Sequence, residues 1–120
     1  MLAEEELETS TLLLSNQHYR ACVSRAYYAM YYATQALLIS KNLKSRTHKG
    51  VIQQFSQNFV KSDDFPTSMI RDLKRIYDLR QLSDYEAAIS LTSEETAKAL
   101  EVSINFVSQV RVYLDEGGME

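Results

Sequence analysis

Ser24-Arg25-Ala26-Tyr27-Tyr28-Ala29-Met30-Tyr31-Tyr32-Ala33 decides the fold. Wound at about 100° per residue, Cys22, Ala26, Ala29, Ala33 and Ala36 recur at steps of four, three, four and three, and form one stripe of small side chains. A neighbouring helix can approach closely along such a stripe. The opposite half carries Tyr27, Tyr28, Tyr31, Tyr32, Leu38 and Ile39, so the helix, spanning about His18 to Lys41, is apolar nearly all round. It is therefore either central to a bundle or laid in a dimer interface. Cys22, Ala26, Ala29, Ala33, Tyr28 and Tyr32 are the candidate interface residues of a homodimer. The tyrosines read as packing with bonded hydroxyls, the alternative being a base-stacking surface, and Cys22 reads as a small packed side chain.

Outward from this helix the chain has almost none of the breakers that strands and hairpins need: three glycines, two of them at Gly117 and Gly118, and the single Pro66. A first helix is expected over about Leu2 to Ser15, acidic where the dipole is positive, with Asn16 and Gln17 as a turn. After the polar link Asn42 to Arg46, Thr47 caps a third helix to about Val60. Residues 62–66 form a loop, and Thr67 or Ser68 caps a fourth helix to about Leu82. Thr92-Ser93-Glu94-Glu95 fits a capping box, and a fifth helix sets Ala97, Leu100, Ile104, Val107 and Leu114 on one face before the glycines stop it. The expectation is an all-α antiparallel bundle of about five helices, one domain over residues 1–120.

Composition narrows the function classes. Apolar residues make up 45% and charged residues 24%, ordinary globular usage that excludes a disordered or low-complexity chain. One cysteine permits no internal disulfide, and two histidines cannot complete the usual Cys/His zinc patterns, so no metal site and no cofactor are expected. The acidic start, Glu4, Glu5, Glu6 and Glu8, is the reverse of a secretory leader, and the longest uncharged run, Ala26 to Ser40, is short of the roughly 20 apolar residues that a bilayer span requires. A cytoplasmic protein without membrane partners is expected.

Charge is segregated. No Asp or Glu occurs between His18 and Ser62, a stretch holding Arg20, Arg25, Lys41, Lys44, Arg46, Lys49 and Lys61. The basic middle sits in a chain of net charge −3, so it either attracts phosphates locally or is neutralised by the acidic terminal helices packed beside it. On the fourth helix Met69, Ile70, Leu73, Ile76 and Tyr77 define an apolar arc with Arg80 in its middle. A guanidinium there must meet a carboxylate, with Asp84 or Asp78 in range, or line a cleft that admits an anion. Its planar fork of donors suits phosphate. His48, between Arg46 and Lys49, reads as a solvated loop residue rather than a base, and His18 likewise.

These residues resemble the HEPN domains (higher eukaryotes and prokaryotes nucleotide-binding). Ser24 to Ala33 is similar to the family's long second helix. Ala36-Leu37-Leu38, Thr47-His48-Lys49-Gly50-Val51 and Arg80-Gln81-Leu82-Ser83-Asp84-Tyr85 follow in the family's order and separation, over about residues 15 to 112. The resemblance implies a dimeric bundle with polar residues from two protomers in a shared cleft. Many relatives are metal-independent RNA endonucleases carrying Arg, four to six residues, then His; others are toxin partners of small nucleotidyltransferases. Arg80 corresponds to the motif arginine, but positions 85 to 87 are Tyr, Glu and Ala, so the histidine is missing. Some family toxins have a tyrosine two residues beyond that histidine that the partner adenylylates; Tyr85 sits earlier than this pattern requires.

The reading that results is a dimeric module binding a nucleotide or RNA phosphate, or a nucleotidyltransferase partner. Arg80, Arg25 and Arg46 are its phosphate-binding candidates, and Asp84 and Tyr85 stand beside Arg80. RNA cleavage, with Arg80 stabilising phosphoryl charge and Asp84 or Tyr85 handling protons, is one alternative. A purely structural helical dimer subunit is the other.

Overall fold

The computed structural model describes residues 1–85 and 90–117, with Tyr85 as backbone only. Among these residues five α-helices run in the order α1 Leu2–Ser15, α2 Tyr19–Ser40, α3 His48–Phe55, α4 Ser68–Tyr85 and α5 Ser93–Asp115, with α3 continuing as a π-helical turn over Ser56–Val60. They form an all-helical bundle measuring 44 × 24 × 22 Å. Among the described residues no helix is long and apolar enough to cross a membrane.

α2 packs against each of the other four helices. Along its small stripe Cys22, Ala26, Ala29 and Ala33 are all 0% exposed, covered by the same chain. The serine hydroxyl of Ser10 on α1 donates to the Cys22 carbonyl at 2.8 Å, and Ser103 on α5 donates to the Ala26 carbonyl at 2.7 Å. The stripe thus serves packing inside the protomer, and of the six candidate interface residues a second copy could touch Tyr28 and Tyr32, both half-buried. Ser10 Oγ also lies 3.2 Å from Cys22 Sγ.

The reversals are built without glycine. At the end of α1, Gln17 takes a φ of 62°, and the amides of His18 and Gln17 return to the carbonyls of Leu13 and Leu14. α2 ends the same way: Asn42 sits at φ 60°, with Leu43 and Asn42 donating to Leu38 and Ile39. Both are Schellman closures with a polar residue at the left-handed position. Three further differences from the sequence expectation have local causes. α3 loosens into a π turn, Lys61 N–H donating to Ser56 O five residues back. α4 runs three residues past Leu82, which brings Asp84 one turn beyond Arg80. On α5, Ala97 and Ile104 face outward, Ile104 being 43% exposed, while Thr96, Ala99, Ser103, Phe106 and Val110 face inward beside Leu100 and Val107. The inward face includes hydroxyls, because Thr96 donates to Thr92 O and Ser103 to α2, which satisfies them in the core.

Most of the core lies between α2 and the α3, α4 and α5 faces. Phe55, Phe59, Phe65, Phe106 and Tyr113 form a connected aromatic cluster, with ring centres 4.9 to 6.2 Å apart. Met69, Leu73 and Ile76 of α4 are buried as their spacing requires.

α5 starts with a complete capping box: Thr92 Oγ1 accepts from the Glu95 amide at 3.0 Å and the Glu95 carboxylate accepts from the Thr92 amide at 3.3 Å. Thr92→Ala is expected to lower stability by about 1 kcal/mol, with Thr92→Ser retaining most of it; urea unfolding curves with equal slopes check this.

Candidate functional site

Arg80 leaves α4 toward α2, and its side chain is only 24% exposed. Its Nη2 donates to the Tyr28 hydroxyl at 3.1 Å and its Nε to Ser24 Oγ at 3.4 Å. The guanidinium carbon lies 4.9 Å from the Tyr28 ring centre and 5.6 Å from that of Tyr27, close enough for cation–π attraction. Asp84, one turn on, approaches Arg80 Nε at 3.7 Å, and the same carboxylate meets Arg20 of α2 at 3.7 Å. Among the described residues two guanidiniums therefore share one half-exposed carboxylate, which leaves the pair a positive excess there. Asp78, the other carboxylate considered for Arg80, is exposed and makes no ion pair with it among the described contacts.

Ser24 and Asp84 also line a cleft of about 700 Å³ whose other walls include His18, Tyr19, Arg20 and Arg25. Arg25 pairs with Glu6 at 3.1 Å and lies 5.7 Å from the Tyr28 ring centre, so Tyr28 links Arg25 to Arg80. Arg46 is exposed in the link before α3 and shares none of these contacts. Tyr85 closes α4; its side chain lies outside the described residues, as do residues 86–89. Among the described residues no three His, Cys, Asp or Glu side chains gather as a metal site would require.

On the other side of Tyr27 stands His48, and here the sequence expectation is overturned. The imidazole is half-buried at the start of α3, its Nδ1 hydrogen-bonded to the Tyr27 hydroxyl and its ring stacked on Tyr77 of α4 at 3.4 Å and 12°. Its anchor is legible in the sequence: His48, Val51 and Phe55 recur at steps of three and four and share the buried face of α3. A search by linear distance from an arginine misses a residue that helix packing brings in from another element. Ser24 was likewise missed, being a small polar residue with no signal of its own.

Burial is the largest influence on His48 and lowers its pKa from the ordinary value; Asp78 opposes this and Arg80 adds to it. Burial, reinforced by the neighbouring phenols Tyr31 and Tyr77, raises that of Tyr27 far enough that it stays a neutral phenol, although Arg80 pulls the other way. The site is therefore a fixed cation flanked by uncharged hydroxyls and an imidazole that resists protonation.

Fold and site together define an all-helical bundle with an inward-turned arginine at the meeting of its second and fourth helices. The chain belongs to the HEPN domain family, whose description matches residues 2–113. It is 33% identical over 112 residues to a protein of Methanocaldococcus jannaschii named "Putative toxin MJ0142", covering 93% of this chain and 76% of that one. A second protein of the same organism, "Putative toxin MJ0605", is 35% identical over 115 residues, 96% of this chain and 85% of its own length. The UPF0332 protein glr0978 of Gloeobacter violaceus is 36% identical over 98 residues, covering 82% and 78%.

The lowered pKa of His48 has a sign. Unfolded, the imidazole takes up a proton as pH falls below about 6.5, whereas the folded chain resists, so its contribution to stability is complete above that pH and lost as pH falls through the depressed folded value. Thermal melts at about pH 7.5 and pH 5.5 are expected to separate more in the wild type than in His48→Phe, which keeps the stack and loses the titration. Equal separations would show that His48 carries none of this dependence.

Proposed function

We propose that this HEPN-family chain is a toxin-like module that binds the phosphate of a nucleotide or RNA at Arg80, with Arg25 and Arg20 extending the positive field along the adjoining cleft. The observation that carries the reading is the incomplete neutralisation of Arg80 among the described residues: it is held by hydroxyls and ring faces that leave its charge intact, and the one described carboxylate that approaches it is divided with Arg20. A guanidinium so held is pre-oriented and has donor capacity left for an anion. The names of the two Methanocaldococcus relatives favour the toxin side of a toxin–antitoxin pair, and the resemblance favours a small nucleotidyltransferase as the partner. Homodimerisation at Tyr28 and Tyr32, whose rings stack with centres 6.1 Å apart beside Arg80, belongs to the same reading. It would set two such arginines near one another.

RNA cleavage is a second reading, favoured by one observation: His48 places an imidazole two hydrogen-bonded or ring contacts from Arg80, through Tyr27. The proton-handling group absent from the stretch after Arg80 would then come from α3.

Fluorescence anisotropy with a labelled single-stranded RNA tests the first reading. Arg80→Ala is expected to weaken binding at least tenfold at fixed salt, while Arg46→Ala leaves it within twofold; equal binding by Arg80→Ala and the wild type would remove Arg80 from the site. Sedimentation velocity is expected to give a dimer, and a monomer at every concentration would remove the two-protomer arrangement. Cutting of the RNA by the wild type, lost in both Arg80→Ala and His48→Phe, would favour the second reading.

A further inference from the structure

A separate concavity of about 550 Å³ lies between α3 with its π turn and α4, lined among others by His48, Lys49, Gln53, Gln57, Lys61, Lys74, Tyr77 and Asp78. Lys49, Gln53, Gln57 and Lys61 recur at steps of four along α3 and its π turn, and all four line the concavity. Over the α-helical part, the step from Lys49 to Gln53 advances about 6 Å at 1.5 Å per residue. Lys74 faces this row from α4, and Asp78 is the single acid among the lining residues. At one end the stacked rings of His48 and Tyr77 close the wall, and beyond them Tyr27 leads to Arg80.

We propose that this α3–α4 cleft is a track for the backbone of single-stranded RNA, with phosphates at Lys49, Lys61 and Lys74 and the His48–Tyr77 pair as the aromatic surface at its Arg80 end. This rests on the phosphate-binding reading of Arg80 and extends it from a point to a path. Three features carry it. The cations are spread along a row rather than converging on one point, which suits a chain of separated phosphates and not the clustered phosphates of one nucleotide. Amide side chains of Gln53 and Gln57 fill the steps between the lysines and can donate to phosphate or sugar oxygens. A basic groove joined to an aromatic surface is also the usual composition of sequence-tolerant single-strand sites. The rest of the lysine-poor surface offers no comparable row among the described residues; Lys98 lines a groove shared with Glu95, Asp78 and Arg75.

The test measures anisotropy of a labelled single-stranded RNA of about twelve nucleotides across a salt series, since each phosphate contact on a single strand contributes about 0.7 to the slope of log affinity against log salt. The triple variant Lys49→Ala/Lys61→Ala/Lys74→Ala is expected to flatten the slope by about 2, with at least a tenfold loss of affinity at fixed salt. A control triple variant, Arg75→Ala/Lys98→Ala/Arg111→Ala, removes as much charge elsewhere and is expected to change the slope by less than one contact's worth. All three side chains of the cleft variant are exposed, and circular dichroism of each variant confirms that it folds. An unchanged slope in the cleft variant, or an equal loss in the control, overturns the track. If Arg80→Ala weakens binding and the cleft variant does not, the track fails and the Arg80 reading stands. If the wild type binds no RNA at any salt, the track fails, and if it binds no nucleoside triphosphate either, the Arg80 reading fails with it. If a nucleoside triphosphate loses binding to the cleft variant as strongly as the RNA does, the site takes clustered phosphates and the track is likewise overturned.

Discussion

The closeness with which α1 and α5 lie on α2 governs the rest of the molecule. It is possible because Cys22, Ala26, Ala29 and Ala33 leave no side-chain bulk on that face, and because Ser10 and Ser103 fill the remaining space while bonding to α2 carbonyls. Each such hydroxyl contributes about 1 kcal/mol net, and leaving the hydroxyl unpaired in so dry a place would cost more than the bond returns. With two neighbours seated on the small face, the tyrosine face of α2 is turned toward α3 and α4. Arg80 and His48 are met there because no other face of α2 remains for their helices.

The site that results separates charge from polarity. Tyr27 stands between a guanidinium and an imidazole as a neutral phenol, and burial keeps the imidazole from adding a second fixed charge. Placing a permanent cation next to a neutral, hydrogen-bonded array costs less than placing two like charges together, and it leaves the cation's field pointing where no carboxylate among the described residues fully answers it. Among the described residues Asp84 is the acid that approaches Arg80, and its distance of 3.7 Å from both Arg20 and Arg80 marks a shared, loose contact. Compensation of that kind is easily outcompeted by a more highly charged anion.

How much of this was legible in the sequence depends on what kind of information each feature carries. Helix limits were readable to within a residue or two for α1 and α2, because amphipathic period and polar turn residues are local properties. The inward turn of Arg80 followed from the arc Met69, Leu73, Ile76 on its own helix. What was not legible came from partners distant in sequence. The small stripe was equally consistent with a neighbour in the same chain or in another, and only the packed bundle shows α1 and α5 covering it. The inward face of α5 is not the one that Ala97, Leu100, Ile104, Val107 and Leu114 mark, because a carbonyl in reach makes the hydroxyls of Thr96 and Ser103 core groups. His48 was read as solvated from its charged neighbours Arg46 and Lys49, although its register with Val51 and Phe55 placed it on the buried face. The π turn after Phe55 has no glycine or proline to announce it.

Cys22 gives the molecule a property that none of its functional groups supplies. Its thiol is enclosed between the first two helices beside Ser10, and burial, only partly offset by the serine, pushes its pKa upward, so the reactive thiolate is scarce. Fully buried under the N-terminal helix, the side chain meets a thiol reagent when that packing opens. The lone cysteine is therefore a natural clock for that opening: under conditions where the reagent outpaces closing, its labelling rate reports how often the hairpin of the first two helices breathes.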